Sequence, residues 1–156
     1  MSDVYLYTDG GCHGNPGPGA WAWRLVDENH NVLAEASGFE GETTNNRMEL
    51  TAVIDGLRNA QNNRERLLSG LPLVIITDSQ YVRQGITNWI HRWKQNGWKT
   101  SAKKPVKNSD LWRTLDELNG VIRPSWKWVK GHAGDTHNEG CDRLVQETIK
   151  KNRSTL

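Results

Sequence analysis

A ten-residue segment near the start of the chain, GGCHGNPGPG at positions 10–19, restricts the possible fold more than any other part of the sequence. It contains five glycines and two prolines, a composition that helices and central strands rarely tolerate. The residues before it, Val4 to Asp9, alternate in the way a short strand does. We therefore expect a strand that ends at Asp9 and is followed by a structured loop.

Three strands are expected to open the fold. Ala20 to Val26 and Val32 to Phe39 have strand-like patterns, and the turn-like sequence Asp-Glu-Asn-His-Asn separates them. A short polar connection of this kind favours an antiparallel meander with the first strand.

The pattern then changes to alternating helices and strands. Thr43-Thr44-Asn45-Asn46 offers N-cap chemistry for a helix whose apolar residues recur at helical spacing, with Gly56 as its one weak point. Leu73 to Thr77 is a buried-type strand, and Asp78-Ser79 caps a helix that continues to about His91 or Gln95.

The C-terminal third predicts a helix, a strand and a last helix. These span Ser109 to Asn119, Ser125 to Val129 and about Asn138 to Lys151, and Thr136-His137-Asn138-Glu139 fits a capping box for the last helix. The element order predicts an α/β domain with a mixed sheet. We expect one domain at residues 1–151, with 152–156 as a frayed tail.

Composition limits where the protein works. No apolar run approaches the roughly 20 residues of a membrane-spanning helix, and the first residues do not resemble a secretion signal. The two cysteines, Cys12 and Cys141, have no zinc-site or disulfide spacing. We expect a cytoplasmic protein without a membrane partner.

The charge is distributed unevenly. Residues 83–109 contain seven Lys or Arg residues and no acidic residue, whereas the rest of the chain holds 13 basic and 18 acidic side chains. The positive segment indicates a polyanionic partner. It also carries tryptophans beside its cations, an arrangement that suits sugar stacking and phosphate contact.

Four acids occupy positions where they can form a cluster. Asp9 and Asp78 each follow a predicted strand, and Glu49 and Asp142 each lie near the start of a predicted helix. Clustered carboxylates raise one another's pKa unless a cation neutralises them, and oxygen ligands favour Mg²⁺ or Mn²⁺. Two such ions can promote phosphodiester hydrolysis. The alternative is that each acid only caps a helix or ends a strand.

Several motifs together resemble one family, the type 1 ribonucleases H of bacteria. They are TDGGCHGNPGPGA, TTNNRMEL, ITDSQYVRQGI, WIHRWKQNGWKT, KKPVKNSDLW and WVKGHAGDTHNEGCD. The resemblance implies a ribonuclease H-like fold, with a five-stranded mixed sheet of three antiparallel strands plus two parallel ones, flanked by helices. It also implies endonucleolytic hydrolysis of the RNA strand of RNA–DNA hybrids by two metal ions, leaving 5′-phosphate and 3′-hydroxyl ends.

The resemblance implies catalytic roles for five residues. Asp9 matches a metal-bridging aspartate, Glu49 and Asp78 match ligands of the metal at the leaving group, and Asp142 matches the ligand beside the nucleophilic water. His132 matches a mobile histidine that assists proton transfer or product release, and its position between Gly131 and Gly134 suits mobility.

Substrate contacts are implied in three groups. The minor-groove group comprises Cys12, Asn15, Asn45, Asn46 and Gln80, and Asn45 and Asn46 can alternatively serve as helix caps. The basic protrusion, residues 94–107, is implied to grip the DNA strand through Lys94, Lys99, Lys103 and Lys104, with Trp89 and Trp112 near that strand. Packing is the alternative for Trp89 and is favoured for Trp93. Thr44 and Asn108 match a pocket for a DNA phosphate.

One departure from the family concerns this phosphate pocket. Glu42 stands where many members have an arginine, which weakens the inferred pocket unless a nearby lysine substitutes. Cys12-His13 also allows a metal interpretation, which lacks a second ligand pair. The alternatives for the whole chain are a catalytically silent hybrid-binding module and a DNA-cutting relative of the same fold. We expect a monomer.

Overall fold

The computed structural model describes residues 3–65, 70, 72–130 and 135–153. The strands are β1 (Val4–Cys12), β2 (Gly17–Val26), β3 (Val32–Thr43), β4 (Leu73–Thr77) and β5 (Ser125–Trp128). The α-helices are α1 (Asn45–Asn62), α2 (Gln80–Gln84), α3 (Ile90–Gln95), α4 (Ser109–Ile122) and α5 (Thr136–Arg153). A π-helical turn, Gly85–Trp89, joins α2 to α3.

The five strands form one mixed sheet in the order β3-β2-β1-β4-β5. The pairs β1–β2 and β2–β3 are antiparallel, whereas β1–β4 and β4–β5 are parallel. This topology confirms the predicted fold class. It also places the first strand at the centre of the sheet, next to the strand that precedes Asp78.

The glycine- and proline-rich segment is mostly strand, so the prediction of a ten-residue loop was wrong. β1 continues past Asp9 to Cys12, and β2 already begins at Gly17. The β2–β3 register shifts between Gly17 and Gly19, which puts Pro18 at an irregular position where a missing N–H is tolerated. Asp9 therefore lies within β1 and does not end it.

The helix boundaries follow local capping. Thr44 Oγ1 accepts a hydrogen bond from the Arg47 nitrogen at the start of α1. At the start of α5 the cap is Asp135, whose Oδ1 accepts from the His137 and Asn138 nitrogens at 2.9 and 3.1 Å. The predicted capping box beginning at Thr136 is therefore wrong. α5 also runs through Arg153, past its predicted end at Lys151.

The two faces of the sheet bury separate apolar clusters. Leu6 and Trp23 belong to the cluster that includes residues of α1 and α4, and Tyr7 and Ala22 belong to the cluster on the α5 side. Gly56 of α1 is explained by this packing, since a Cβ atom there would lie 2.9 Å from Leu6 Cδ1. None of the helices formed by the described residues has the length and apolar content of a membrane span.

Candidate active site

Asp9 lies in β1, and Asp78 directly follows the neighbouring parallel strand β4. The last paired residues of β1 and β4 are Tyr7 and Ile76, and each aspartate lies two positions farther along its chain. Because parallel strands end at the same edge of a sheet, both carboxylates reach that edge together.

Glu49 is brought to the same edge by close packing of α1 on β1. Gly10 allows this approach, because a Cβ atom there would lie 2.4 Å from the Glu49 nitrogen. The Ser79 hydroxyl donates a hydrogen bond to Glu49 Oε2, and Ser79 Oγ in turn accepts from the Val82 nitrogen at the start of α2. A serine that follows Asp78 thus orients a second carboxylate of the cluster.

Asp142 comes from the opposite face of the sheet, on α5. Its neighbour Cys141 is buried and its Sγ lies 3.6 Å from the Tyr7 carbonyl oxygen. One turn farther along the helix, Val145 Cγ1 lies 3.2 Å from where a Cβ atom of Gly11 would be. α5 therefore runs beside β1, with Asp142 near the level of Asp9.

The electrostatics of Asp9 show that the four carboxylates form one group. Asp9 is 8% exposed, and burial together with the negative charges of Asp78, Asp142 and Glu49 raises its pKa to about 8. The largest contribution is burial, and each of the other three acids adds to it. A positive charge placed among them would remove this penalty.

The donor set fits a hard divalent cation, because every side chain of the group offers carboxylate oxygen. Within the described residues, no three acidic, histidine or cysteine side chains already converge on one metal position. Glu49 instead points to Ser79.

The predicted catalytic histidine, His132, lies outside the described residues. The residues on both sides of this gap are Lys130 and Asp135, which precede and cap α5. The role inferred for His132 therefore remains a prediction.

The predicted minor-groove residues surround the start of α1 and the β1–β2 turn. Asn15 Oδ1 accepts from the Asn45 nitrogen at 3.1 Å, which ties the turn to the helix. Cys12 Sγ lies 2.7 Å from the Gly14 carbonyl oxygen, so the thiol supports the turn. Asn45 and Gln80 are exposed, and Asn46 is half-buried.

The basic protrusion has a defined conformation. Lys99 and Pro105 form a β-bridge, and the Val106 nitrogen donates to the Trp98 carbonyl oxygen at 3.0 Å. The lysines at its tip, Lys103 and Lys104, are exposed. Lys94, at the base, lies 3.4 Å from Asp116. Arg113 of α4 stacks over the Trp98 ring, 5.4 Å from its centroid, and adds a cation that the sequence motifs did not indicate.

Trp112 is fully buried, which corrects its assignment as a substrate contact. Its indole nitrogen donates to the Tyr81 hydroxyl at 2.9 Å, and its ring packs against Trp93 with centroids 5.4 Å apart. Trp89, in contrast, is 37% exposed and meets Tyr81 edge-on. Of the two tryptophans, only Trp89 has a surface that nucleic acid can contact.

The predicted phosphate pocket contains an arginine. Arg47 Nη1 donates to Asn108 Oδ1 at 3.1 Å, while the Arg47 backbone nitrogen bonds Thr44. Both guanidinium Nη atoms also bond the carboxylate of Asp110. The cation that contacts Asn108 in the described structure is therefore Arg47 of α1, five residues after the divergent Glu42 of β3.

Two positioning residues were absent from the sequence-based set. Ser79 was interpreted only as a helix cap, although its hydroxyl also holds Glu49. The Tyr81 hydroxyl accepts from both Asn108 Nδ2 and Trp112 Nε1. A buried indole and an amide that share one hydroxyl cannot be identified from spacing along the chain.

Comparison with known proteins supports one family. A family model described as RNase H matches residues 1–150. A protein named "Ribonuclease H" from Neisseria meningitidis serogroup C is 55% identical over 142 residues, covering 91% of this chain and 92% of that protein. Another with the same name, from Treponema pallidum, is 50% identical and covers 94% of this chain and 90% of its own length.

Solved structures agree with this result. LC9-RNase H1, described as a type 1 RNase H with the type 2 active-site motif, superimposes with a TM-score of 0.81 at 30% identity, over 97% of this chain and 74% of that one. LC11-RNase H1, solved in complex with an RNA/DNA hybrid, gives a TM-score of 0.68 at 29% identity, over 96% and 98% of the two chains.

Proposed function

This chain belongs to the ribonuclease H family, and we propose that it is an endonuclease that hydrolyses the RNA strand of RNA–DNA hybrids. Its products have 5′-phosphate and 3′-hydroxyl ends. The proposal treats residues 1–151 as one catalytic domain that acts as a monomer in the cytoplasm.

The observation that carries the proposal is the electrostatic group around Asp9. Burial, and then the negative charges of three further carboxylates, raise the pKa of this aspartate in the central strand. The three come from the residue after β4, from α1 and from α5. Such a group destabilises the folded chain unless it binds a cation, so its presence is explained by function more easily than by packing.

The four carboxylates are proposed to hold two divalent cations, Mg²⁺ in the first place and Mn²⁺ as a substitute. When bound, these ions supply charge stabilisation at the cleaved phosphate and a more acidic water molecule. Asp9 lies in the central strand, and the charge of each of the other three acids acts on it, which suits a residue shared by both ions. Ser79 keeps Glu49 directed towards the edge of the sheet.

Two surfaces are proposed to recognise the hybrid, one for each of its strands. The amides of Asn15, Asn45 and Gln80 suit the 2′-hydroxyl groups of an RNA strand, which both donate and accept hydrogen bonds. The exposed lysines of the basic protrusion suit the phosphates of the paired DNA strand. His132 is proposed to assist proton transfer or product release.

The decisive experiment is a cleavage assay in which either strand of a hybrid carries the label. We expect Mg²⁺-dependent cutting of the RNA strand, an intact DNA strand and no cutting of duplex DNA. Asp9→Asn should lower the rate by about 1000-fold, the equivalent of about 4 kcal/mol of lost charge stabilisation. Glu28→Gln, an exposed acid in the β2–β3 turn, is the matched control.

The outcomes separate the alternatives. Hybrid binding without cleavage in Mg²⁺ or Mn²⁺ would identify a silent binding module, and cutting of duplex DNA would identify a different nuclease. The metal site has an independent readout in thermal unfolding. Mg²⁺ should raise the Tm of the wild-type chain more than that of Asp9→Asn, and equal shifts would contradict metal binding at this group.

A further inference from the structure

A basic cleft lies beyond Asp9 and Asp142, at the C-terminal ends of β1 and α5. It has a volume of about 360 Å³ and is lined by His13 of the β1–β2 turn and by Gln146, Ile149, Lys150 and Arg153 of α5. His13, Lys150 and Arg153 are exposed, and Ile149 forms a buried apolar floor. No acidic side chain is among these lining residues.

His13 joins the turn to the helix. Its Nδ1 atom lies 3.3 Å from Arg153 Nη1, and its Nε2 atom lies 3.1 Å from Gln146 Oε1. Because arginine only donates, Nδ1 accepts the first bond, and Nε2–H donates the second. This contact holds the guanidinium at the cleft without cancelling its charge.

The cations of the cleft make no salt bridge with a described carboxylate. Among the described residues, the salt bridges involve Arg24, Arg47 and Lys94, and neither Lys150 nor Arg153 takes part in one. Two cations, one of them fixed by a histidine, thus face solvent across a small concave surface. Such a surface is complementary to a phosphate group.

The distance between the cleft and the acidic group corresponds to a few phosphate spacings along a nucleic-acid strand. Lys150 and Arg153 follow Asp142 by 8 and 11 residues on the same helix, which corresponds to about 12 and 16 Å at the helical rise per residue. Phosphates of one strand of a duplex recur about every 3.4 Å along its axis. A duplex lying along α5 therefore brings a phosphate to the cleft roughly four nucleotides from the acidic group.

We infer that this cleft binds a backbone phosphate of the hybrid, a few nucleotides from the bond that is cut. The inference rests on the proposed function, since the acidic group defines where the duplex lies. The cleft and the basic protrusion then hold the duplex at two separate places. The β1–β2 turn, which carries Asn15 and directly follows Cys12, then enters the groove between them.

The first test is the salt dependence of hybrid binding, measured in EDTA so that no strand is cut. Lys150→Ala/Arg153→Ala should weaken binding several-fold at 0.1 M salt and lower the slope of log K against log salt by about 1, as expected when contact with one phosphate is lost. The charge-matched control is Arg58→Ala/Lys127→Ala, which removes two exposed cations from α1 and β5. An unchanged affinity and slope in the cleft variant would overturn the inference.

A second test locates the phosphate. Single methylphosphonate groups, which are uncharged, are placed at successive positions of each strand, and binding is measured with wild type and cleft variant. One neutral position about three to six nucleotides from the cut should weaken wild-type binding and leave the variant unaffected. If every position weakens both proteins equally, the cleft does not bind a phosphate.

The two tests distinguish a wrong cleft inference from a wrong proposed function. If the wild-type chain neither binds nor cuts the hybrid, the proposed function is wrong. If it binds and cuts, and the cleft variant behaves like the wild type in both tests, only the cleft inference is wrong. Equal Tm values of the two proteins exclude misfolding as the cause of weaker binding.

Discussion

Gly10 of β1 and Glu49 of α1 are in direct backbone contact, since a Cβ atom on Gly10 would lie 2.4 Å from the Glu49 nitrogen. No side-chain rotation relieves a clash with backbone, so Gly10→Ala must push α1 away from β1. We expect a loss of about 1–3 kcal/mol in the free energy of unfolding. Because the shift also moves Glu49 relative to Asp9, cleavage should fall even in molecules that remain folded.

Gly41→Ala is the control for this prediction. Gly41 lies in β3, and a Cβ atom there would meet nothing within 4 Å. Urea unfolding and cleavage rates of both variants measure the effect. Equal stability and activity of Gly10→Ala and wild type would show that α1 is not held against β1 as described.

Tyr81→Phe should destabilise the chain through Trp112. The tyrosine hydroxyl accepts from Trp112 Nε1 at 2.9 Å and from Asn108 Nδ2 at 3.1 Å. Trp112 is fully buried, so the variant leaves an indole N–H without an acceptor, at a cost of about 1–3 kcal/mol. Urea unfolding measures the loss.

The matched control is Tyr5→Phe. Tyr5 is also half-buried, and its hydroxyl makes no hydrogen bond to a described residue. This change should leave stability within about 0.5 kcal/mol of wild type. Equal losses in both variants would mean that the Trp112 bond contributes nothing.

The three lysines of the basic protrusion should contribute to hybrid affinity through counterion release. Replacing Lys99, Lys103 and Lys104 with alanine should weaken binding and lower the salt slope by about 2–3, because each lost phosphate contact removes about 0.9 from it. Fluorescence anisotropy over a range of salt concentrations gives the slope. A slope equal to that of wild type would place the DNA strand elsewhere.

Stability should decrease at acid pH because of His137. This side chain is 7% exposed, and its Nδ1 lies 3.3 Å from Arg24 Nη1. Burial, and then the positive charge of Arg24, lower the pKa of His137 below its usual value of 6.5. The unfolded chain then binds more protons, so the free energy of unfolding falls as the pH drops through 6.5.

His137→Asn tests this pH dependence, since the amide oxygen can still accept from Arg24 and does not titrate. Urea unfolding at pH 7.5 and 5.5 should show a smaller difference for the variant than for wild type. Substitution of the exposed His91 by Asn controls for general effects of losing a histidine. Equal differences in wild type and His137→Asn would exclude His137 as the cause.

Sequence periodicity predicted most of the fold because the apolar pattern and the caps agree. Leu73–Thr77 was predicted with its observed bounds, and Thr44 and Ser79 cap helices as expected. The glycine- and proline-rich strands were missed, because their conformation depends on pairing with neighbouring strands and on an irregular β2–β3 register.

For the site, the sequence predicted the four acids that interact in the structure, but not what orients them. The link from Ser79 to Glu49 joins residues 30 positions apart, and the shared hydroxyl of Tyr81 joins α2 to the start of α4. For Trp112, in contrast, the sequence predicted a substrate contact that the structure does not allow. A tryptophan among basic residues can either stack against nucleic acid or pack in the core. Its burial in the structure is what distinguishes these two roles.

The π-helical turn Gly85–Trp89 determines which way the basic protrusion faces. One surplus residue in a helix rotates everything after it by about 100° relative to an uninterrupted α-helix. Gly85 makes room for the Trp112 ring within this turn, and the rotated α3 brings Trp93 onto the same ring. The orientation of the basic protrusion therefore depends on a helical irregularity that comes before it in the chain and contains none of its lysines.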